Sequence, residues 1–349
     1  MLTPFSRRPL LPVWVAAALA LCVTPRLAAD LTWTSSTGWQ VEGGVLSGLT
    51  GNQGRAALDI MNKARSDEEA RSYHAAIRLY EKVAKKYQGS VYAPEALYRA
   101  GTLLERRKQF FDAFQDFQLV LRRYPNTRRF NEVIGEEYRI AALLLDGRRN
   151  WTWGFIPDFP NRTRGVEYME VIVLNAPYSD YAPLALMEAS RGDQLEKNTD
   201  EAIDALDRLV NTYPQSVLAP VAYLKLGDLH ASLTEGPKYD QASTKEAMTY
   251  YEDFMILYPG DAGIARAASG VDKMKTILAD SKIYIGDYYF YKRYNYEAAK
   301  IFYNEAITSY PDSSPARVAK KRLAELESRV VRQTIHPVIA PPKKRFWLF

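Results

Sequence analysis

Along most of the chain apolar residues recur three and four positions apart, the spacing of one helix face. Ala96-Leu97-Tyr98-Arg99-Ala100-Gly101-Thr102-Leu103-Leu104 and Ala298-Ala299-Lys300-Ile301-Phe302-Tyr303 are two such windows. Sustained alternation is missing, so no strand is predicted. The helical stretches are punctuated at Tyr87-Gln88, Tyr124-Pro125, Ala176-Pro177, Tyr213-Pro214, Tyr258-Pro259 and Tyr310-Pro311. Proline cannot continue a helix, and it disfavours helix in the residue before it. Ser90, Ser179, Ser216 and Ser314 follow four of these points, where a hydroxyl can cap the next helix.

Twelve residues before each punctuation point stands a small residue: Ala76, Ala113, Gly165, Ala202, Ala247 or Ala299. Eight before it stands a large one: Tyr80, Phe117, Met169, Leu206, Tyr251 or Tyr303. A further small residue recurs in the preceding helix as Ala64, Gly101, Ser190, Gly227 and Gly286. Small residues let two antiparallel helices approach closely, and the large one fills the space beside the contact. This is the tetratricopeptide (TPR) pattern. It predicts an all-α, TPR-type α-solenoid of about six hairpins, over 55–88, 92–125, 130–177, 181–214, 218–259 and 262–311. A capping helix over 315–331 closes the last apolar face.

The chain's ends read differently. Arg7-Arg8, the apolar run Leu10 to Val23 and the small Ala28-Ala29 form an export signal over 1–29. Cys22 is either lipidated or removed with that signal. Residues 30–53, rich in Gly, Ser and Thr with Trp33 and Trp39, read as an extended leader. The repeats divide into 54–214, with an insertion at 149–162, and 215–331. A second, polar insertion covers 234–244. The first insertion, from Asn150 to Asn161, holds two Trp and two Phe, and either folds back on the helices or presents its aromatics to a partner. The tail 332–349 is rich in Pro and ends Lys343-Lys344-Arg345-Phe346-Trp347-Leu348-Phe349; it is disordered, or meets a membrane surface or a neighbour.

Composition narrows the function. Lys+Arg 46 against Asp+Glu 41 gives +5, too mild and too dispersed an excess to imply nucleic acid. One Cys and three scattered His leave no metal site, and no catalytic motif or cofactor site is found. The 24 Tyr call for a packing or recognition role.

The C-terminal third is more specific. Tyr239-Asp240-Gln241 precedes a repeat ending at Tyr258-Pro259. Leu278-Ala279, Tyr284-Ile285, Tyr288-Tyr289, Lys292-Arg293, Tyr296, Ala298-Ala299 and Tyr310-Pro311 follow in order. Over 239–330 this resembles the BamD family, TPR lipoproteins of the outer-membrane β-barrel assembly machinery; residues 55–130 match only as generic TPR. The resemblance implies a non-enzymatic protein at the periplasmic, inner face of the outer membrane, held there by a partner or by a lipid on Cys22. It also implies docking on the barrel-assembly pore protein and help in receiving unfolded β-barrel precursors. It places the pore-protein contact at Tyr284, Tyr288, Tyr291, Lys292 and Arg293. By register, Met61, Arg65, Tyr98, Thr102, Glu105 and Arg106 line an N-terminal peptide groove. The alternative is another exported TPR adaptor of the division or Tol-associated type.

Overall fold

The computed structural model describes residues 30–42 and 52–335. The segment 1–29 expected to be an export signal, with Cys22, and residues 336–349 lie outside the described residues. Six helix hairpins follow one another: α1 (Asn52–Glu69) with α2 (Tyr73–Lys86), α3 (Tyr92–Arg106) with α4 (Phe110–Arg123), α5 (Phe130–Leu145) with α6 (Arg162–Asn175), α7 (Tyr181–Glu196) with α8 (Thr199–Thr212), α9 (Ala219–Ser232) with α10 (Ala242–Leu257), and α11 (Ile264–Asp287) with α12 (Tyr296–Ser309). Helix α13 (Ser314–Ile335) closes the series. The protein is an all-α TPR solenoid, with each predicted pair in place. The capping helix runs to Ile335, past the predicted end at 331, so a separate tail does not begin at 332. No helix among the described residues is long and apolar enough to cross a membrane.

Two short antiparallel hairpins correct the expectation of no strands. β1 (Asp30–Thr34) pairs with β2 (Gly38–Glu42), and β3 (Trp151–Thr152) pairs with β4 (Ile156–Pro157). The first lies in the supposed extended leader. Each strand is five residues or fewer, too short for alternation to stand out, and the β1–β2 turn depends on Gly38 at φ +73°.

The described residues form two compact units, the first up to Val133 with Asn150–Asp158, the second Ile134–Arg149 with the described residues from Phe159 on. That division falls inside α5. In both units the small and large positions meet as the spacing requires. A Cβ on Gly101 would lie 2.7 Å from the Phe117 ring; on Gly227, 2.5 Å from Tyr251; on Gly286, 2.6 Å from Tyr303. The partner rings are buried, and so are Ala76, Ala113, Ala247 and Ala299. Burying such a side chain contributes roughly 1.5–3 kcal/mol.

The tyrosines do more than fill space. Tyr124 donates to the Gln88 carbonyl and Tyr213 to the Pro177 carbonyl, each at 2.7 Å and 36 residues back. The punctuating tyrosine therefore ties its repeat to the preceding turn. Two serines close turns: Ser179 and Ser313 donate to the carbonyls of Ala176 and Tyr310 at 2.8 and 2.7 Å. Ser313 also caps α13 by accepting from the Ala316 N–H at 3.2 Å.

Candidate partner-docking surfaces

Helix α11 is followed without a break by a π-helical turn, Tyr288–Lys292. Its wider spacing shows in the Arg293 N–H, which donates to the Tyr288 carbonyl five residues back at 3.2 Å. Phe290, inside this turn, is wholly buried against Ile283, Ala299, Tyr303 and Leu326, and it fixes the turn to the body. The residues around it are thereby divided between interior and surface.

Tyr284 and Tyr288, one helical turn apart, are 47% and 48% exposed. Lys292, Arg293 and Tyr294 follow them and are exposed. Tyr291 departs from the expected set. Its hydroxyl donates to Glu325 at 2.9 Å and accepts from Arg322 at 2.8 Å, both on α13. Tyr291 is thus a closing-helix contact, half-buried, and it leaves the open face. Burial, then the bond to Glu325, pushes its phenol above the ordinary range. Burial alone would lower the Arg322 guanidinium, but Asp287, Tyr291 and Glu325 more than reverse this and keep it charged.

Sequence spacing also missed a contribution from the second insertion. Lys238 reaches across to the Tyr284 ring, its Nζ 5.6 Å from the centroid, where a cation over an aromatic face is favourable. Gln241 shapes that loop by donating to the carbonyls of Gly236 and Tyr239 at 2.9 and 2.8 Å. The Asp240 carboxylate accepts from the Ala242 N–H at 3.3 Å, where α10 starts. The Asp-Gln pair therefore acts as a loop clasp that brings a cation to the tyrosine face.

The N-terminal groove needs larger corrections. Met61 is wholly buried and Glu105 is buried, so neither lines an open face. Thr102 is half-buried and donates to the Tyr98 carbonyl at 2.9 Å. Tyr98 sits between the Phe117 ring (5.9 Å) and the Arg129 guanidinium (4.6 Å). Arg106 is exposed. Arg65 pairs with Glu68 and Glu69 and lies 4.3 Å from the Trp33 ring centre.

The leader explains this. The β1–β2 hairpin is seated on α1: the Trp39 N–H donates to Asn62 Oδ1 at 3.1 Å, and Trp39 is buried with Arg99 of α3 over its ring at 5.6 Å. Asn62, Arg65 and Arg99 thus contact the chain's own hairpin. The inner face of the first repeats is already partly occupied.

Residues 160–333 match the family described as outer membrane lipoprotein, YfiO, and residues 95–127 match a tetratricopeptide repeat. The chain carries a YfiO-family domain. This BamD-like segment spans α6 to α12 and most of α13, so it starts well before residue 239. All the tyrosine-face residues lie inside the YfiO segment, and the occupied N-terminal face lies outside it. No curated protein matches the chain. Similar solved structures include a tetratricopeptide repeat protein from Parabacteroides merdae, 15% identical over 78% of this chain and 100% of that one, with a TM-score of 0.31. A TPR repeats protein from Bacteroides fragilis is 14% identical over 78% and 98%, with a TM-score of 0.36. PilW, described as a type IV pilus biogenesis factor, is 13% identical over 77% and 99%, with a TM-score of 0.27.

Among the described residues, no group of three or more His, Cys, Asp or Glu is arranged to hold a metal ion. What the Tyr284–Tyr288 face offers is aromatic area, hydroxyls and cations at fixed spacing, which suits recognition of another polypeptide.

Proposed function

We propose that this protein is a non-enzymatic periplasmic scaffold of the outer-membrane β-barrel assembly machinery. On this reading it works at the inner face of the outer membrane, docks on the barrel-assembly pore protein and helps receive unfolded barrel precursors. The observation that carries it is the coincidence of the YfiO match with an exposed Tyr284–Tyr288–Lys292–Arg293 face that a buried Phe290 holds in place. Tyrosine supplies large contact area at low entropic cost, and the flanking cations steer approach and fix register. A binding role needs no reacting group, and none is invoked. Anchoring comes through the partner or through a lipid on Cys22.

The reading is tested by copurification from detergent-solubilised outer membrane. Recovery of the pore protein is expected. Recovery of division or Tol-associated proteins in its place would assign the chain to that other class of exported TPR adaptor.

A further inference from the structure

The insertion between α5 and α6 is a built device. Its base folds back on the first unit. The Trp151 N–H donates to the Lys108 carbonyl at 2.8 Å, with the Lys108 ammonium 4.9 Å above the Trp151 ring. Asn150 is buried; its side chain accepts from the Phe111 N–H at 3.2 Å and donates to Asp158, which also accepts from Thr152 at 2.8 Å. Arg107 donates to the Trp153 carbonyl at 3.1 Å, and its guanidinium lies where a Cβ on Gly154 would go. Gly154 at φ +76° and Trp153 at φ +53° turn the tip.

This clasp raises a tip that is apolar and outward. Trp153 and Phe155 are 66% and 64% exposed, their rings 5.9 Å apart, and Ile156 beside them is also exposed. A rigid loop that keeps two large rings in water forgoes roughly 1.5–3 kcal/mol for each, so the arrangement calls for an apolar environment outside the chain. Arg107 also lines an open hollow of about 460 Å³ with Arg71, Ser72, Tyr73, His74, Ala75 and Arg78. That lining contains three guanidiniums and no carboxylate. Arg71, His74 and Arg78 are exposed.

We propose that the β3–β4 tip and the arginine hollow beside it form a docking surface for an anionic lipid bilayer. The convex tip enters the layer beneath the headgroups. Trp153 keeps its indole N–H at the polar boundary, as tryptophan does at membrane interfaces. Arg71, Arg78 and Arg107 pair with headgroup phosphates. Charge complementarity selects this occupant: three guanidiniums and no carboxylate line the hollow, and a protruding pair of rings fits a deformable surface better than a preformed protein groove. The inference stands apart from the barrel-assembly reading.

The test is hydrogen exchange on the exported protein with Cys22→Ser, alone and with vesicles of phosphatidylcholine, with and without phosphatidylglycerol. Vesicles containing phosphatidylglycerol are expected to protect amides at 151–157 and 71–78, and phosphatidylcholine alone to protect them far less. W153A/F155A is expected to weaken vesicle binding by at least about tenfold. R71E/R78E is expected to abolish the phosphatidylglycerol dependence, with far-ultraviolet dichroism and melting unchanged in both variants. Vesicle binding that W153A/F155A leaves unaltered would overturn the proposal. So would vesicle binding with no protection of the tip, or no vesicle binding at all. Loss of a copurifying protein with W153A/F155A, in place of lost vesicle binding, would assign the tip to a protein partner and overturn it equally.

Discussion

The Tyr303 hydroxyl on α12 donates a 2.6 Å hydrogen bond to Asp287 at the end of α11, and Arg322 of α13 holds the same carboxylate at 3.3 Å. This three-helix relay recurs. Tyr251 of α10 donates to Asp228 of α9, which pairs with Arg266 of α11. In the first unit Tyr80 of α2 donates to Glu68 of α1, which lies 3.8 Å from Arg99 of α3. Each relay links both helices of one repeat to the helix that follows. Burial first, and then the carboxylate, pushes all three phenols far above the ordinary tyrosine range, so they remain donors at any physiological pH. These three tyrosines thus serve repeat-to-repeat cohesion.

Tyr303→Phe keeps the ring over Gly286 and removes only the donated bond. The expected loss is about 1 kcal/mol of stability, read from chemical unfolding. Gly286→Ala places a methyl group 2.6 Å from the same ring and should cost about 1–3 kcal/mol by overpacking. If Gly286→Ala proves neutral, the close helix approach is not what that glycine provides.

Trp39→Ala should release the leader hairpin from α1 while leaving the helices folded. Removing a buried aromatic costs about 3–5 kcal/mol, more than a two-stranded hairpin can supply by itself. The check is proteolysis: cleavage within 31–41 should rise sharply with circular dichroism of the helices unchanged. Exchange of amides on the exposed side of α1 should rise in parallel as the inner face opens.

Asp116 gives a pH signature. Burial, followed by repulsion from Glu81 and Asp112, pushes its carboxyl from the ordinary 3.8 up to about 8, and its Oδ2 is buried without a hydrogen-bond partner. The folded chain then holds a proton that the unfolded chain has already released. The stability this group supports is therefore complete below pH 3.8 and is lost as pH climbs toward about 8. Asp116→Asn removes the charge and should flatten that slope, gaining up to about 2 kcal/mol at pH 8 relative to the parent. Thermal melts of both proteins across this window decide it; parallel slopes would show that Asp116 ionises normally.

Y284A/Y288A/R293A tests the proposed docking face directly. These side chains are exposed, so the melting temperature should stay within the small range typical of surface changes. Recovery of the pore protein should fall at least about tenfold if the face holds a binding hot spot. Tyr291→Phe is the contrast: it removes the bonds to Glu325 and Arg322, lowers stability by about 1 kcal/mol and leaves partner recovery intact.

The hairpin repeats were legible because their determinants are local. A small residue and a large residue four apart, followed eight later by a turn, state which helix faces meet, and Gly101 beneath Phe117 or Gly227 beneath Tyr251 realise that arrangement. The exposure of the proposed docking face was legible in part. Tyr284, Tyr288, Lys292 and Arg293 reach the surface, but Tyr291 is drawn away by groups more than thirty residues along the chain. No local pattern reports such a partner.

The sequence by itself determined the helix pairs, their order and the class of fold, since periodicity and proline placement act within a few residues. Tertiary structure alone decided which surfaces stay open. It seated the leader hairpin on the first repeats, turned Tyr291 toward α13, and tied the base of the Trp153–Phe155 tip to Lys108 and Phe111. In each case the deciding bonds join segments distant along the chain. Burial, unlike periodicity, depends on which of those segments arrives to cover a residue.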